Sequence, residues 1–162
     1  MNRNTKVGSL TLGGAVAAVY VLLTLLAAAL GLASGVIQLR LSEALCVLPI
    51  FFPAAVPGLF VGCLLANLLT GAVVWDVIFG SLATLLGALG TRLLRKKSVL
   101  ALLPPILANV LIVPFVLSYA YGVPDGIPYL MLTVGIGEVL SCGVLGRVLW
   151  KALDKRKEAL FK

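Results

Sequence analysis

Apolar runs close to the thickness of a bilayer recur along this sequence, and they decide what the chain can fold into. One extends from about Val7 to Leu32, a second from Trp75 to Leu94, a third from Val99 to Tyr119 and a fourth from Ile127 to Trp150. About 20 consecutive apolar residues suffice for a helix to cross the hydrocarbon core of a membrane. Two shorter runs, Leu41 to Phe52 and Ala54 to Leu69, fall between the first and second of these. None alternates apolar with polar residues as the strands of a membrane barrel do. With 61% hydrophobic and 12% charged residues, the composition excludes disorder and argues against a water-soluble protein. The runs predict an all-α integral membrane protein. Short connections leave room for one membrane-embedded domain over residues 1–162.

Charge placement then predicts topology. The net charge is +7, and the basic residues gather at the ends of apolar runs. Arg3 and Lys6 precede the run from Val7, Arg92, Arg95, Lys96 and Lys97 stand at the end of the run from Trp75 to Leu94, and Lys151, Lys155, Arg156 and Lys157 follow the run that ends at Trp150. Lys and Arg near span ends stay in the cytoplasm, so these clusters read as topology and not as a nucleic-acid surface. Six transmembrane helices with both termini cytoplasmic put all three clusters on one side. The loops Ala33 to Arg40, Thr70 to Val74 and Tyr121 to Gly126 then face outward. The strained part is Leu41 to Leu69, where Pro49, Pro53 and Pro57 break two short spans. Short or broken helices at membrane depth need protein or a water-filled cavity around their backbone, which suggests a ligand cavity nearby. The segment Leu26 to Gly35 has the small residues of a signal-cleavage site, but the run before it is too long for a signal peptide and reads as a retained first helix.

Polar residues inside spans are costly, about 2.5–3.5 kcal/mol per charge at the centre on insertion scales, so their depth carries information. Arg40 and Glu43 fall at the outer end of the second span, Asn67 near the outer end of the third, and Trp75 and Asp76 at the outer start of the fourth. Asn109 lies mid-span, Tyr119 lies at the outer end of the same helix, and Glu138 is nearly halfway down the last. The four acids outside the C-terminal tail, Glu43, Asp76, Asp125 and Glu138, therefore fall in the outer half or near the midplane, while every basic residue except Arg40 is cytoplasmic. That asymmetry suits an outward-open pocket for a small molecule that is cationic or rich in N–H donors, since a carboxylate offers two acceptor oxygens. Each residue also has a plainer reading. Arg40 and Glu43 are spaced to pair with each other, Ser42 to cap a helix, Asp76 to sit on a helix dipole, Trp75, Tyr119 and Tyr121 to anchor at an interface, and Asn67 and Asn109 to join helices. Asp125, in VPDG, reads as a turn residue. Glu138 has no basic residue within helical reach and is the hardest to explain structurally.

The three cysteines, Cys46, Cys63 and Cys142, lie in apolar runs without a CxxC pair and read as small buried hydrophobes. There is no histidine and no G-x-x-x-x-G-K-[ST] loop, so neither a histidine-based metal or catalytic site nor nucleotide binding by that route is expected. No catalytic residue, metal or cofactor is assigned. No pair of similar halves marks a self-sufficient carrier, which makes a partner plausible. In the first span Gly13/Ala17 and Gly14/Ala18 are small residues at i, i+4, a pattern that serves either internal packing or docking on another helix.

The stretches IQLRLSEALCVLPIFFPAAVPGLFVGCLLANL and DVIFGSLATLLGALGTRLLR resemble the queuosine-precursor transporter family, with RLSEAL and GLFVGCLLANL the most specific parts. The resemblance extends over nearly the whole chain. It implies a substrate-binding S component of an energy-coupling-factor ABC importer in the bacterial plasma membrane. Such a subunit captures substrate from outside and docks on a transmembrane scaffold subunit served by two ATPase subunits. It would not be an enzyme, ATP hydrolysis belonging to the partners. The small-residue motif on the first helix would be the scaffold contact, with Gly13 or Gly14 where alanine is usual. The implied ligands are queuine, preQ1 or queuosine, all 7-deazaguanines (7-deazapurines with a guanine edge). That edge suits a carboxylate, here Glu138 or Asp76, and Glu43 would suit the amine, with Arg40 holding Glu43. Competing readings are an S component for another small cationic vitamin, an intramembrane enzyme using Asp76 and Glu138, and a purely structural subunit.

Overall fold

The computed structural model describes residues 3–33 and 37–155. The expected basic residues Arg156 and Lys157, and part of the loop from Ala33 to Arg40, lie outside the described residues. Every regular element among the described residues is helical. Helix α1 spans Arg3–Ala29, α2 Ala55–Leu69, α3 Val74–Leu93, α4 Leu103–Tyr119, α5 Ile127–Glu138 and α6 Gly146–Lys155. A π-helical stretch, Val139–Leu145, joins α5 to α6, so Ile127–Lys155 is one long rod. Four helical stretches are long and apolar enough to cross a membrane: Lys6–Ala29, Val74–Leu93, Val99–Tyr119 and Ile127–Lys155.

The second expected span takes a different form. Leu41–Ile50 is a 3-10 helix, with Pro49 inside it. A proline in an α-helix clashes with the carbonyl four residues back and removes that hydrogen bond. The tighter 3-10 winding instead uses bonds three residues apart and rises about 2.0 Å per residue. It is buried on almost every side, with Ser42, Glu43, Leu45, Cys46, Val47, Leu48 and Pro49 all inside. Helices α1, α2, α3 and α6 and the π-helical stretch all pack on it, so this irregular piece is the axis of the molecule. Its last carbonyls, Pro49 O and Ile50 O, accept hydrogen bonds from Arg92 Nη1 at 3.0 and 3.3 Å. These bonds satisfy carbonyls that a helix end leaves open.

Glycines set the close approaches. A Cβ on Gly58 would lie 2.6 Å from the Gly13 carbonyl oxygen, and one on Gly62 would lie 2.8 Å from Tyr20 Cβ and 3.0 Å from Ala17 Cα. Ascending numbers match ascending numbers, so α1 and α2 run parallel in contact. The α3–α4 pair meets through Gly87 and Gly90 against Pro105 and Pro104. Between α2 and α3, Gly71 turns the chain at φ 72°, and Gly122 does so after α4 at φ 66°, backbone angles that favour glycine. The start of α1, the end of the 3-10 helix and the end of α3 meet at one end of the bundle, where Lys6, Arg92, Arg95, Lys96 and Lys97 gather; it is called the basic end below.

The two small-residue pairs of α1 separate cleanly. Gly13 and Ala17 face α2, and Ala17 is buried, so that pair is internal packing. Gly14 and Ala18 are exposed, and a Cβ on Gly14 would meet nothing within 4 Å. Gly62→Val should therefore lower thermal stability in detergent by about 1–3 kcal/mol, the usual cost of overpacking a tight contact. Gly14→Val should leave the melting temperature in place. Equal effects from the two would refute this packing.

Candidate functional site

The chemistry begins with one carboxylate. Glu43 is fully buried. Its Oε1 accepts a hydrogen bond from Tyr20 Oη at 2.6 Å and a long one from Thr84 Oγ1 at 3.5 Å. Its Oε2 accepts from Cys46 Sγ at 2.9 Å. Residues three apart eclipse in a 3-10 helix, which brings Cys46 onto Glu43. Thr84 stands halfway along α3. Glu43 is thus at mid-depth, where the sequence placed it at an outer end. The extended residues before the 3-10 helix account for the difference, since they carry the chain inward before it coils. Arg40 and Glu43 form no ion pair, so they do not satisfy each other. Nor is Ser42 a helix cap: its Oγ accepts a hydrogen bond from Thr24 Oγ1 at 2.9 Å.

Above Glu43, on the side away from the basic end, is a cavity of about 390 Å³. Tyr20 and Thr24 of α1, the stretch from Gln38 to Arg40 with Ser42, Asn67 of α2 with Thr70 just past its end, and Asp76 of α3 line it, with Tyr121 at its mouth. Asn67 Nδ2 donates to the Asp76 carbonyl at 3.1 Å, which fixes the α2–α3 corner. Tyr121 Oη donates to Asp76 Oδ2 at 2.9 Å. Burial and the Asp76 carboxylate push the Tyr121 phenol up, keeping it a donor. Asp76 Oδ1 is buried and has no partner. Gly80 leaves the space for it, since a Cβ there would lie 2.9 Å from that oxygen.

Arg40 lines this cavity and also a small void beside it with Gln38, Val113, Val134 and Glu138. Among the described residues its guanidinium makes no direct hydrogen bond or contact ion pair, and the nearby carboxylates that act on it are those of Asp76 and Glu43. Glu138 and Asn109 are buried side by side, and Glu138 Oε2, Asn109 Nδ2 and Asn109 Oδ1 make no hydrogen bond of good geometry. The π-helical stretch begins directly after Glu138. Such bulges are frequent at functional sites. Buried polar groups without partners are rare in folded proteins, and each one asks for a reason.

Of the residues singled out in the sequence, the structure brings Arg40, Asn67 and Asp76 to one cavity, with Glu138 reached through the small void and Asn109 buried on neighbouring α4. Glu43 lies beneath the cavity with both carboxylate oxygens engaged. Trp75 and Tyr119 are elsewhere: both are exposed, stacked on Phe79 and Phe115, and they line an apolar groove between α3 and α4 on the outside of the bundle. That position is where interfacial anchors sit. Sequence reasoning missed Tyr20, Thr24 and Thr84, polar residues that bond Glu43 or Ser42, and read Tyr121 as an interfacial aromatic where its hydroxyl bonds Asp76. Only Tyr20 carried a usable signal, as a lone phenol deep in an apolar run that needs a partner. The three cysteines are free and buried.

Long apolar helices packed around a cavity lined in part by polar residues define a polytopic membrane protein with an internal pocket. A family model described as QueT transporter matches residues 10–155. The chain therefore belongs to the QueT transporter family, the queuosine-precursor transporters. No curated protein and no solved structure matches it.

Tyr20→Phe should leave Glu43 Oε1 with only the distant Thr84 hydroxyl. A buried acceptor stripped of its donor costs about 1–3 kcal/mol. The expected outcome is a lower melting temperature in detergent; an unchanged one would contradict the clasp.

Proposed function

We propose that this chain is the substrate-capturing S component of an energy-coupling-factor ABC importer, and that it takes a queuosine precursor into the cavity between α1, α2 and α3. The reading rests on one observation: among the described residues, carboxylate oxygens of Asp76 and Glu138 are buried without hydrogen-bond partners around one guanidinium, Arg40, which makes no direct hydrogen bond or contact ion pair. With Glu43, three carboxylates share one cation inside the bundle. The surplus of acceptors favours a ligand that brings N–H donors and positive charge. A 7-deazaguanine has both, through its ring N1–H and 2-amino group and through the amine of preQ1 or queuine. Asp76 reads the ring edge beside Asn67, Arg40 donates to the ring carbonyl, and Glu138 with Asn109 faces the amine. Glu43, its oxygens occupied, holds the floor. Neither Trp75 nor Tyr119 is part of this pocket.

In this reading the protein crosses the bacterial plasma membrane six times, with the basic end and both termini in the cytoplasm. The 3-10 helix supports a short crossing, because ten residues at about 2.0 Å each give ~20 Å, and the extended residues from Gln38 to Arg40 lengthen it. ATP hydrolysis belongs to two partner subunits, and the chain itself is not an enzyme. The exposed Gly14/Ala18 face of α1 is the surface on which a transmembrane scaffold helix docks, since small residues let helices approach closely.

Two measurements test this. Calorimetric titration of the purified chain should show binding of preQ1 and queuine, weakened at least about tenfold by Asp76→Asn and by Glu138→Gln, since a charge-assisted hydrogen bond contributes about 1.5–3 kcal/mol. Undiminished binding in both variants would remove the pocket. Gly14→Leu should retain ligand binding yet lose uptake in cells carrying the whole importer; normal uptake would move the docking face elsewhere.

A further inference from the structure

A second cavity, of about 300 Å³, lies next to the first. The two share Gln38, Leu117 and Val123 as a common wall. Beyond that wall the second cavity is lined by Asp125, in the loop before α5, and by Tyr129 and Thr133 on α5. Each cavity alone is at the lower end of the roughly 300–1,000 Å³ usual for small-molecule sites, and the two together reach the middle of that range.

The lining has a particular chemistry. Thr133 Oγ1 already donates to the Leu130 carbonyl at 3.1 Å, so toward the cavity it presents lone pairs. Asp125 is exposed, and its carboxylate has no hydrogen-bond or ion-pair partner among the described residues. An aspartate serving only as a turn residue bonds the backbone two residues on, and this one does not. The second cavity is therefore rich in acceptors and, unlike the first, has no cationic side chain. It suits a neutral group carrying several O–H donors. Two adjacent hydroxyls can each donate to one oxygen of a single carboxylate, as acidic residues do toward the ribose hydroxyls of nucleotides.

We propose that this second cavity is a subsite for a vicinal diol, with Asp125 as the acceptor, and that it extends the binding site toward the larger queuosine precursors. The inference rests on the reading of the first cavity as a 7-deazaguanine site. PreQ1 ends in its aminomethyl group and fills the first cavity alone. Queuine bears a cyclopentenediol on the same amine. Its linker crosses the shared wall at Gln38, next to the void that leads to Glu138, and its two hydroxyls reach Asp125.

The test is titration of the full chain, in detergent, with preQ1 and with queuine, for the native protein and for Asp125→Asn. Asp125 is exposed in a loop, so the substitution does not threaten the fold. The expected result is a Kd for queuine raised about tenfold relative to that for preQ1, the loss of one charge-assisted hydrogen bond. Tyr129→Phe should move the same ratio in the same direction by a smaller factor. A ratio unchanged in both variants, with both ligands still bound, overturns the diol subsite and leaves the deazaguanine site standing. Native protein that binds neither ligand overturns the underlying reading, and the subsite with it.

Discussion

A buried carboxylate must find donors, and the architecture follows from how Glu43 finds them. Its partners come from α1, from α3 and from its own 3-10 turn. The clasp fixes the 3-10 helix at mid-depth in the bundle, and Arg92 holds its far end through the Pro49 and Ile50 carbonyls. A helix this irregular is sustainable in a membrane protein only where other helices cover it, and here helices cover it on almost every side. Because the coil starts at Leu41, the chain above it stays extended and thin. The space a full helix would have filled is the polar cavity.

The same geometry sets the electrostatics. Arg40 is the first residue above the coil, so it faces the cavity and not Glu43. Asp76 and Glu138 approach from different helices and leave one oxygen each without a donor. In the proposed function, a ligand that brings N–H groups and positive charge completes the arrangement. Membership of the QueT transporter family agrees with this demand, because queuosine precursors are guanine-like and the free bases carry an amine.

Much of the bundle was legible in the sequence. The four long runs became the four long apolar helical stretches, because uninterrupted apolar length at about 1.5 Å per residue has few other outcomes. The prolines marked Leu41 to Leu69 as irregular, but a count of prolines does not choose between a bent α-helix and a 3-10 helix; that depends on which neighbours satisfy the carbonyls, and Arg92 is more than 40 residues away. Asp76 and Glu138 stood out as candidates because a charge at membrane depth is costly, and the structure places them on the cavity and on the void beside it. Trp75 and Tyr119 misled because helical position alone does not say which face a residue occupies. The bonds of Tyr20 to Glu43 and of Tyr121 to Asp76 stayed hidden because these partners are more than 20 residues distant in sequence. Gly13 and Gly14 differ by one position, and only the packing of α2 on α1 distinguishes the buried from the exposed.

The central claim is that the cavity is selective for a 7-deazaguanine, and competition among candidate ligands tests it most directly. The purified chain would be incubated with an equimolar mixture of queuine, preQ1, guanine and several cationic vitamins, washed, and extracted for mass spectrometry. This account predicts that queuine or preQ1 is retained in near-stoichiometric amount and the others are lost. Retention of an unrelated vitamin in their place, or of none of the mixture, would contradict it.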